Sequence, residues 1–276
     1  MDRLRFGTAG IPLSTSKKGT SEGIKRVNEL NLDAMELEFV RSVYINKDKA
    51  PEIKSYAEKN DVILSCHAPY FINLNSEDKK KFYASIGYIK NSAIITSLCG
   101  GYSVCFHTGY YMKQDPIKVY EKVKEALKII IKDIKEFDKN IWIRPETTGK
   151  ISQFGTINEI LDLSLEFDNV LPCIDWSHLH AFSNGKYNTN EEFREVLSLV
   201  EKKLGRKALD NVHFHCQGVE YNEKGERWHL NLKESDLKYE ELLNTWKEFK
   251  LKGVVIAESP NVEEDAILLK QNYLKN

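Results

Sequence analysis

Val254-Val-Ile-Ala-Glu258 is a strand-length apolar run that stops on a carboxylate, and the same plan recurs in Trp142-Ile-Arg-Pro-Glu146 and Leu171-Pro-Cys-Ile-Asp175. Consecutive Val, Ile and Leu suit a strand buried on both faces, as in a parallel sheet covered by helices. Eight such runs occur along the chain: Leu4 to Thr8, Ala34 to Phe39, Val62 to His67, Ser103 to His107, Ile141 to Glu146, Val170 to Asp175, Val212 to Cys216 and Gly253 to Glu258. Amphipathic segments separate them at 21–30, 50–59, 78–98, 116–137, 156–167, 190–204, 239–249 and 262–273. Asp115 before Pro116, and Thr156 at the head of its own segment, read as helix caps. Eight regular alternations predict an α/β chain closed into a (β/α)8 TIM barrel rather than an open doubly wound sheet. No linker or composition break interrupts the 276 residues, so a single domain over 1–276 is expected. The longest non-helical connection, from about Gln217 to Asp236, reads as a long loop on the functional rim.

The composition, 41% hydrophobic and 29% charged with a net charge of −1, is that of a soluble globular protein. It argues against a broadly basic nucleic-acid coat while leaving room for a local positive groove. No segment approaches the roughly 18 apolar residues that span a bilayer, and Met1-Asp-Arg-Leu-Arg-Phe6 has no signal-peptide core. A cytoplasmic monomer without membrane contact is the expectation. The five cysteines are odd in number and lack metal-finger spacing, so they read as reduced core residues. Ligation by Cys66, Cys173 or Cys216 is the less favoured alternative.

The chemistry lies in the histidines. All seven, His67, His107, His178, His180, His213, His215 and His229, fall outside the lysine-rich helical stretches, and most lie at or just past strand-like runs. The active site of such a barrel sits at the carboxyl ends of its strands. His67, His107, Glu146, Asp175, His215 and Glu258 end six consecutive strands, the third to the eighth. One histidine there is usually structural; six ligand-type residues in succession call for a function. His178 follows Asp175 by three residues, so a turn or the first winding of a helix could aim both side chains into the same cleft. No Gly-x-Gly-x-x-Gly, Walker loop or Gly-x-Ser-x-Gly elbow is present, so no nucleotide cofactor and no serine triad are expected. Imidazoles and carboxylates converging on one rim instead suit a cluster of divalent metals.

At these residues the chain resembles the endonuclease IV family, zinc-dependent apurinic/apyrimidinic endonucleases within the wider xylose-isomerase-like barrels. The resemblance runs from Arg5-Phe-Gly-Thr-Ala-Gly-Ile-Pro12 to the helix after Glu258 and rests on the order of several motifs. These are His67-Ala-Pro-Tyr-Phe-Ile-Asn-Leu74, Phe106-His-Thr-Gly109, Glu146-Thr-Thr-Gly149, Cys173-Ile-Asp-Trp-Ser-His178, the His215 segment and Ala257-Glu-Ser259. It implies two or three zinc ions, with manganese as a substitute, and cleavage 5′ to abasic sites in double-stranded DNA during base excision repair. His67 and His107 would hold one ion with Glu146, which bridges to a second completed by Asp175, His215 and Glu258. Glu146 and Glu258 are the carboxylates implied in catalysis. His178 and His229 would hold a third ion with an acid from the long loop. The bacterial pattern there is Asp-x-His, whereas this chain has Arg227 in that place and offers Glu226, whose extra methylene could span the altered spacing. Tyr70 and Phe71 occupy the family's DNA-wedging positions, with a loop-packing pair as the alternative, and Arg41 is the implied partner for phosphate or the bent duplex.

Strand alternation puts His213 and His215 on one face, and likeness to the His-x-x-Gly-x-Glu-Tyr pattern of archaeal-type members favours His215. His213 and His180 are then supporting donors or, for His180, a substrate contact. Two other functions compete. A sugar isomerase or epimerase of the same superfamily would use Glu146, Asp175, His215 and Glu258 and leave the other histidines surplus. A catalytically silent DNA-damage binding module would bind lesions without cutting.

Overall fold

A computed structural model describes residues 1–138 and 140–275. Its strands are β1 (Leu4–Ala9), β2 (Ala34–Glu38), β3 (Ile63–His67), β4 (Ser103–Phe106), β5 (Trp142–Pro145), β6 (Ile174–Asp175), β7 (Val212–His215), β8 (Gly218–Asn222), β9 (Gly225–Leu230) and β10 (Gly253–Ala257). The helices are α1 (Thr20–Glu29), α2 (Ala50–Lys59), α3 (Lys79–Leu98), α4 (Pro116–Phe137), α5 (Ile157–Leu165), α6 (Trp176–Phe182), α7 (Asn190–Leu204), α8 (Arg206–Leu209), α9 (Tyr239–Glu248) and α10 (Glu263–Leu274). The eight strands expected from the sequence form one parallel sheet in the order β5-β4-β3-β2-β1-β10-β7-β6. Parallel bridges Ile143↔Val170 and Glu146↔Cys173 then join its two ends. The fold is a TIM barrel.

Helices cover the outside because each carries one apolar stripe. In α4, Val119, Val123, Leu127, Ile130 and Ile134 recur at three- and four-residue intervals and are buried. Both expected caps are present. The Asp115 side chain accepts from the Ile117 and Lys118 amides, and Thr156 forms a capping box with Glu159.

The seam between β5 and β6 has few ladder hydrogen bonds, and a buried arginine reinforces it. Arg144 donates to the carbonyl of Pro172 at 3.0 Å and to both oxygens of Asn211 at 2.9 Å. The guanidinium thereby ties the strand carrying Glu146 to the segments entering β6 and β7.

The structure adds a short helix, α8, after α7, and two larger departures from the sequence reading bear on the rim. Trp176–Phe182 is helical, but six of its seven residues are buried, so it has no polar face to give a 3.6-residue rhythm. The expected long loop after β7 is largely a hairpin, β8 paired antiparallel with β9 around Glu223 and Lys224. Gly225 closes that turn at φ +94°, a backbone region suited to glycine.

Arg144→Met keeps much of the volume but leaves three oxygens without their donor. It is expected to cost about 2–4 kcal/mol of stability, read from the urea midpoint; a change below about 0.5 kcal/mol would contradict the seam assignment.

Candidate metal centre

His67, Asp175 and His215 are the last residues of β3, β6 and β7, while His107, Glu146 and Glu258 each lie one residue beyond β4, β5 and β10. The barrel therefore aims all six at one rim. Glu146 is their meeting point. Its Oε2 lies 3.1 Å from His67 Nε2 and 3.7 Å from His107 Nε2, and its Oε1 lies 3.2 Å from His215 Nδ1 and 3.3 Å from His178 Nδ1.

Two further groups adjoin it. Glu146, Asp175, His215 and Glu258 offer donor atoms all within 4.8 Å of one another, as do His178, Glu226 and His229. Asp175 also caps α6, accepting from the His178 amide at 2.7 Å, so the start of this helix is what turns His178 into the cleft. His107, His178, Glu226, His229 and Glu258 line a cavity of about 350 Å³ with Tyr70, Tyr110 and Lys150. Glu146, Asp175 and His215 are buried at the rim.

The register of β9 accounts for the altered spacing of Glu226 and His229. Trp228 pairs with Glu220 and Glu226 with Tyr221, so Arg227 is the unpaired residue of a β-bulge. The bulge puts residues three apart on the same face, where plain alternation would oppose them. Glu226 stands 3.5 Å from His178 Nε2 and 3.6 Å from His229 Nε2. The extra backbone residue does what the extra methylene was expected to do.

The imidazoles are oriented for coordination. His67 Nδ1 donates to the Ala68 carbonyl at 2.7 Å, His178 Nδ1 to that of Thr147 at 3.0 Å and His229 Nδ1 to that of Glu258 at 3.1 Å. Each leaves Nε2 for the cluster. His215 is reversed: its Nε2 lies 2.8 Å from Glu36 and its Nδ1 faces Glu146 and Glu258. Anchoring one ring nitrogen so that the other keeps its lone pair is how proteins build histidine metal ligands. Burial, with the repulsion of His178 and His67, drops His107 to about 4 despite Glu146, so this imidazole is neutral.

Among the rim acids, Glu258 carries the clearest sign of crowded charge. Burial, reinforced by Glu146 and Asp175, pushes the Glu258 carboxyl above its usual range against the pull of His215 and His229. A divalent cation relieves that crowding, and the N/O donor set suits zinc. Burial opposes charge on His67, but its hydrogen bond to Glu146 and the field of that carboxylate raise it to about 10. Its proton must leave before Nε2 can coordinate.

Glu36 and Glu38 were missed from the sequence. Both lie on β2, and the alternation Met35-Glu-Leu-Glu38 inside an apolar run was the available signal. Buried Glu36 touches His213 at 2.9 Å and accepts from Ser65 at 2.7 Å, in addition to its contact with His215. His213 is therefore a deeper residue supporting Glu36. His180 is a strut between the Lys186 carbonyl and Asp236.

Tyr70 is 48% exposed with its ring 4.9 Å from that of His67, and Phe71 is 52% exposed in a T-shaped contact with Tyr88. Arg41 is exposed beyond β2 and does not line the cleft. All five cysteines are buried and unpaired by disulfides. Cys105 and Cys173 also lie within donor range of His213 and His215 beneath the rim. Among the described residues no helix is long and apolar enough to cross a membrane.

Residues 24–276 match the family described as xylose isomerase-like TIM barrel. An uncharacterized protein of Methanocaldococcus jannaschii is 43% identical over 98% of this chain and 97% of its own length. The probable endonuclease 4 of Aster yellows witches'-broom phytoplasma is 25% identical over 71% of this chain and 68% of its own. Among solved structures, endonuclease IV from Thermus thermophilus superposes with a TM-score of 0.73 at 20% identity, covering 96% of this chain and 97% of that one. A D-tagatose 3-epimerase-like protein gives a TM-score of 0.73 at 18% identity, with 96% and 94% covered. At these identities the two superpositions establish the shared fold.

Zinc binding to metal-free protein at neutral pH is expected to release protons, because His67 must lose its own. Affinity should fall as pH is lowered. Calorimetry in buffers of different ionisation enthalpy checks this, and a buffer-independent heat would contradict it. Glu36→Gln, which removes the charge facing His215 without changing volume, is expected to weaken zinc binding about 10- to 100-fold in chelator competition. Unchanged affinity would detach Glu36 from the centre.

Proposed function

The chain belongs to the xylose isomerase-like TIM barrel family, and within it we propose a metal-dependent DNA-repair phosphodiesterase that cuts 5′ to abasic sites and leaves a 3′ hydroxyl. The observation that carries this reading is the size of the donor set. One-ion sugar chemistry needs only Glu146, Asp175, His215 and Glu258. Here His67 and His107 also reach Glu146, and His178, Glu226 and His229 form a further group beside it. The bulge at Arg227 and the capped start of α6 serve that further group.

In this reading His67 and His107 hold one zinc with Glu146; Glu146, Asp175, His215 and Glu258 hold a second; and His178, Glu226 and His229 hold a third. Bound there, divalent ions supply Lewis-acid stabilisation of phosphoryl oxygens and of a leaving alkoxide, and they lower the pKa of water. The protein's own part is orientation. Glu146 joins the first two donor groups through its two oxygens, and Glu258 completes the second from the opposite side of the rim. The carbonyls of Ala68, Thr147 and Glu258, with the Glu36 carboxylate, hold the rings so that their free nitrogens converge.

The rim also favours a polymeric substrate. Tyr70 and Phe71 after β3, Tyr110 after β4, Ile151 after β5 and Trp228 after β7 are all exposed large apolar side chains. Tyr70, at the cleft mouth, can wedge beside an extruded deoxyribose while Phe71 meets the neighbouring base. Arg41 and Lys150 add positive charge for phosphates. A sugar epimerase is the second reading, favoured by the four-residue donor group and by the equally good superposition on the epimerase-like protein.

Zinc-loaded protein is expected to nick a duplex at an abasic site, leaving an extendable 3′ hydroxyl, and to leave ketohexoses unchanged. Glu146→Gln should lower the nicking rate by about 10³-fold or more with the fold intact. Ketohexose turnover without nicking would install the epimerase reading, and nicking within about tenfold of wild type would remove Glu146 from the mechanism.

A further inference from the structure

The bulge that turns Glu226 and His229 inward also sorts the residues between them. Arg227 and Trp228 are both exposed, with Trp228 on the opposite face of β9 from His229 by alternation. The Arg227 guanidinium stands 4.4 Å over the Trp228 ring. Trp228 is 49% exposed, whereas Trp176 and Trp246 are buried. A flat indole with a guanidinium stacked on it beside a catalytic rim has the chemistry of a base-stacking platform.

The hairpin is firmly held. The Tyr221 hydroxyl donates to Asp236 at 2.8 Å, and Lys150 bridges to Gly225 across the loop that follows β5. Gly225 packs so closely that a Cβ there would lie 2.0 Å from the Gly149 carbonyl oxygen. Trp228 is thus rigidly referenced to Glu226 and His229. A group stacked on it would fix the register of a strand running through the cleft.

We propose that the outer face of the β8–β9 hairpin is a second DNA contact, in which Trp228 stacks a base flanking the lesion and Arg227 meets the adjacent phosphate. The proposal rests on the nuclease reading above. Glu220 lies across the strand pair from Trp228 and keeps this face from being uniformly basic. The surface therefore suits one stacked base with one phosphate better than a run of phosphates. A single indole offers too little apolar area for a protein partner of ordinary interface size.

The test is intrinsic tryptophan fluorescence of the zinc-loaded, full-length protein titrated with an abasic duplex whose scissile linkage is non-hydrolysable. Saturating DNA is expected to quench the wild-type emission. Trp228→Leu should abolish that quenching and weaken binding about tenfold, within the range for one stacked base. Trp228→Phe should recover most of the affinity, and both variants should keep their zinc. If the wild type cuts abasic DNA but its emission is unchanged on binding, or Trp228→Leu binds within about twofold of it, the platform is overturned and the nuclease reading stands. If the wild type neither binds nor cuts abasic DNA, both fall.

Discussion

Glu146 is the constraint on which the rim depends. Its carboxylate is almost fully buried and has imidazole nitrogens of His67, His107, His178 and His215 within 3.1 to 3.7 Å. A carboxylate withdrawn from water costs several kcal/mol unless surrounding groups compensate it, and here compensation comes from four elements that must converge. Alternation along Arg144-Pro-Glu146 also puts Arg144 and Glu146, the latter just past the end of β5, on the same side of the chain. The first ties the β5–β6 seam and the second gathers the imidazoles of the rim, so closure of the barrel and convergence of these side chains rest on the same short segment.

Around that carboxylate the support is layered. Backbone carbonyls orient His67, His178 and His229, whereas His215 depends on Glu36. The barrel interior beneath the rim is consequently polar, with Glu36, Ser65 and His213 in contact and Cys105 beside them. Burying such a network would be unfavourable if it were only half satisfied. Its position under His215 supplies a reason for it: it holds the ring whose reversed orientation presents Nδ1 to Glu146 and Glu258.

Much of this was legible in the sequence because strand ends are periodic landmarks. Apolar runs that stop on or beside His67, Glu146, Asp175, His215 and Glu258 declare the barrel and the rim where these side chains gather, and the family resemblance is matched by relatives named probable endonuclease 4. What escaped lacked contrast. Helix α6 is buried nearly all round, so its periodicity is invisible; Glu36 and Glu38 were masked by the apolar strand that carries them. The bulge at Arg227 is a property of pairing between two strands, and no count along one of them reveals it. Spacing pointed to Glu226, but it is the bulge, not the longer side chain, that brings this acid beside His178 and His229.

If three donor groups form one centre through Glu146 and His178, each of them binds zinc. Anomalous scattering at the zinc edge from crystals of the zinc-loaded protein tests it most directly. Zinc is expected in the His67–His107–Glu146, Glu146–Asp175–His215–Glu258 and His178–Glu226–His229 groups, with the Glu146 carboxylate between the first two. Zinc confined to the group of Glu146, Asp175, His215 and Glu258 under saturating metal, with Glu226 turned to solvent, would contradict it.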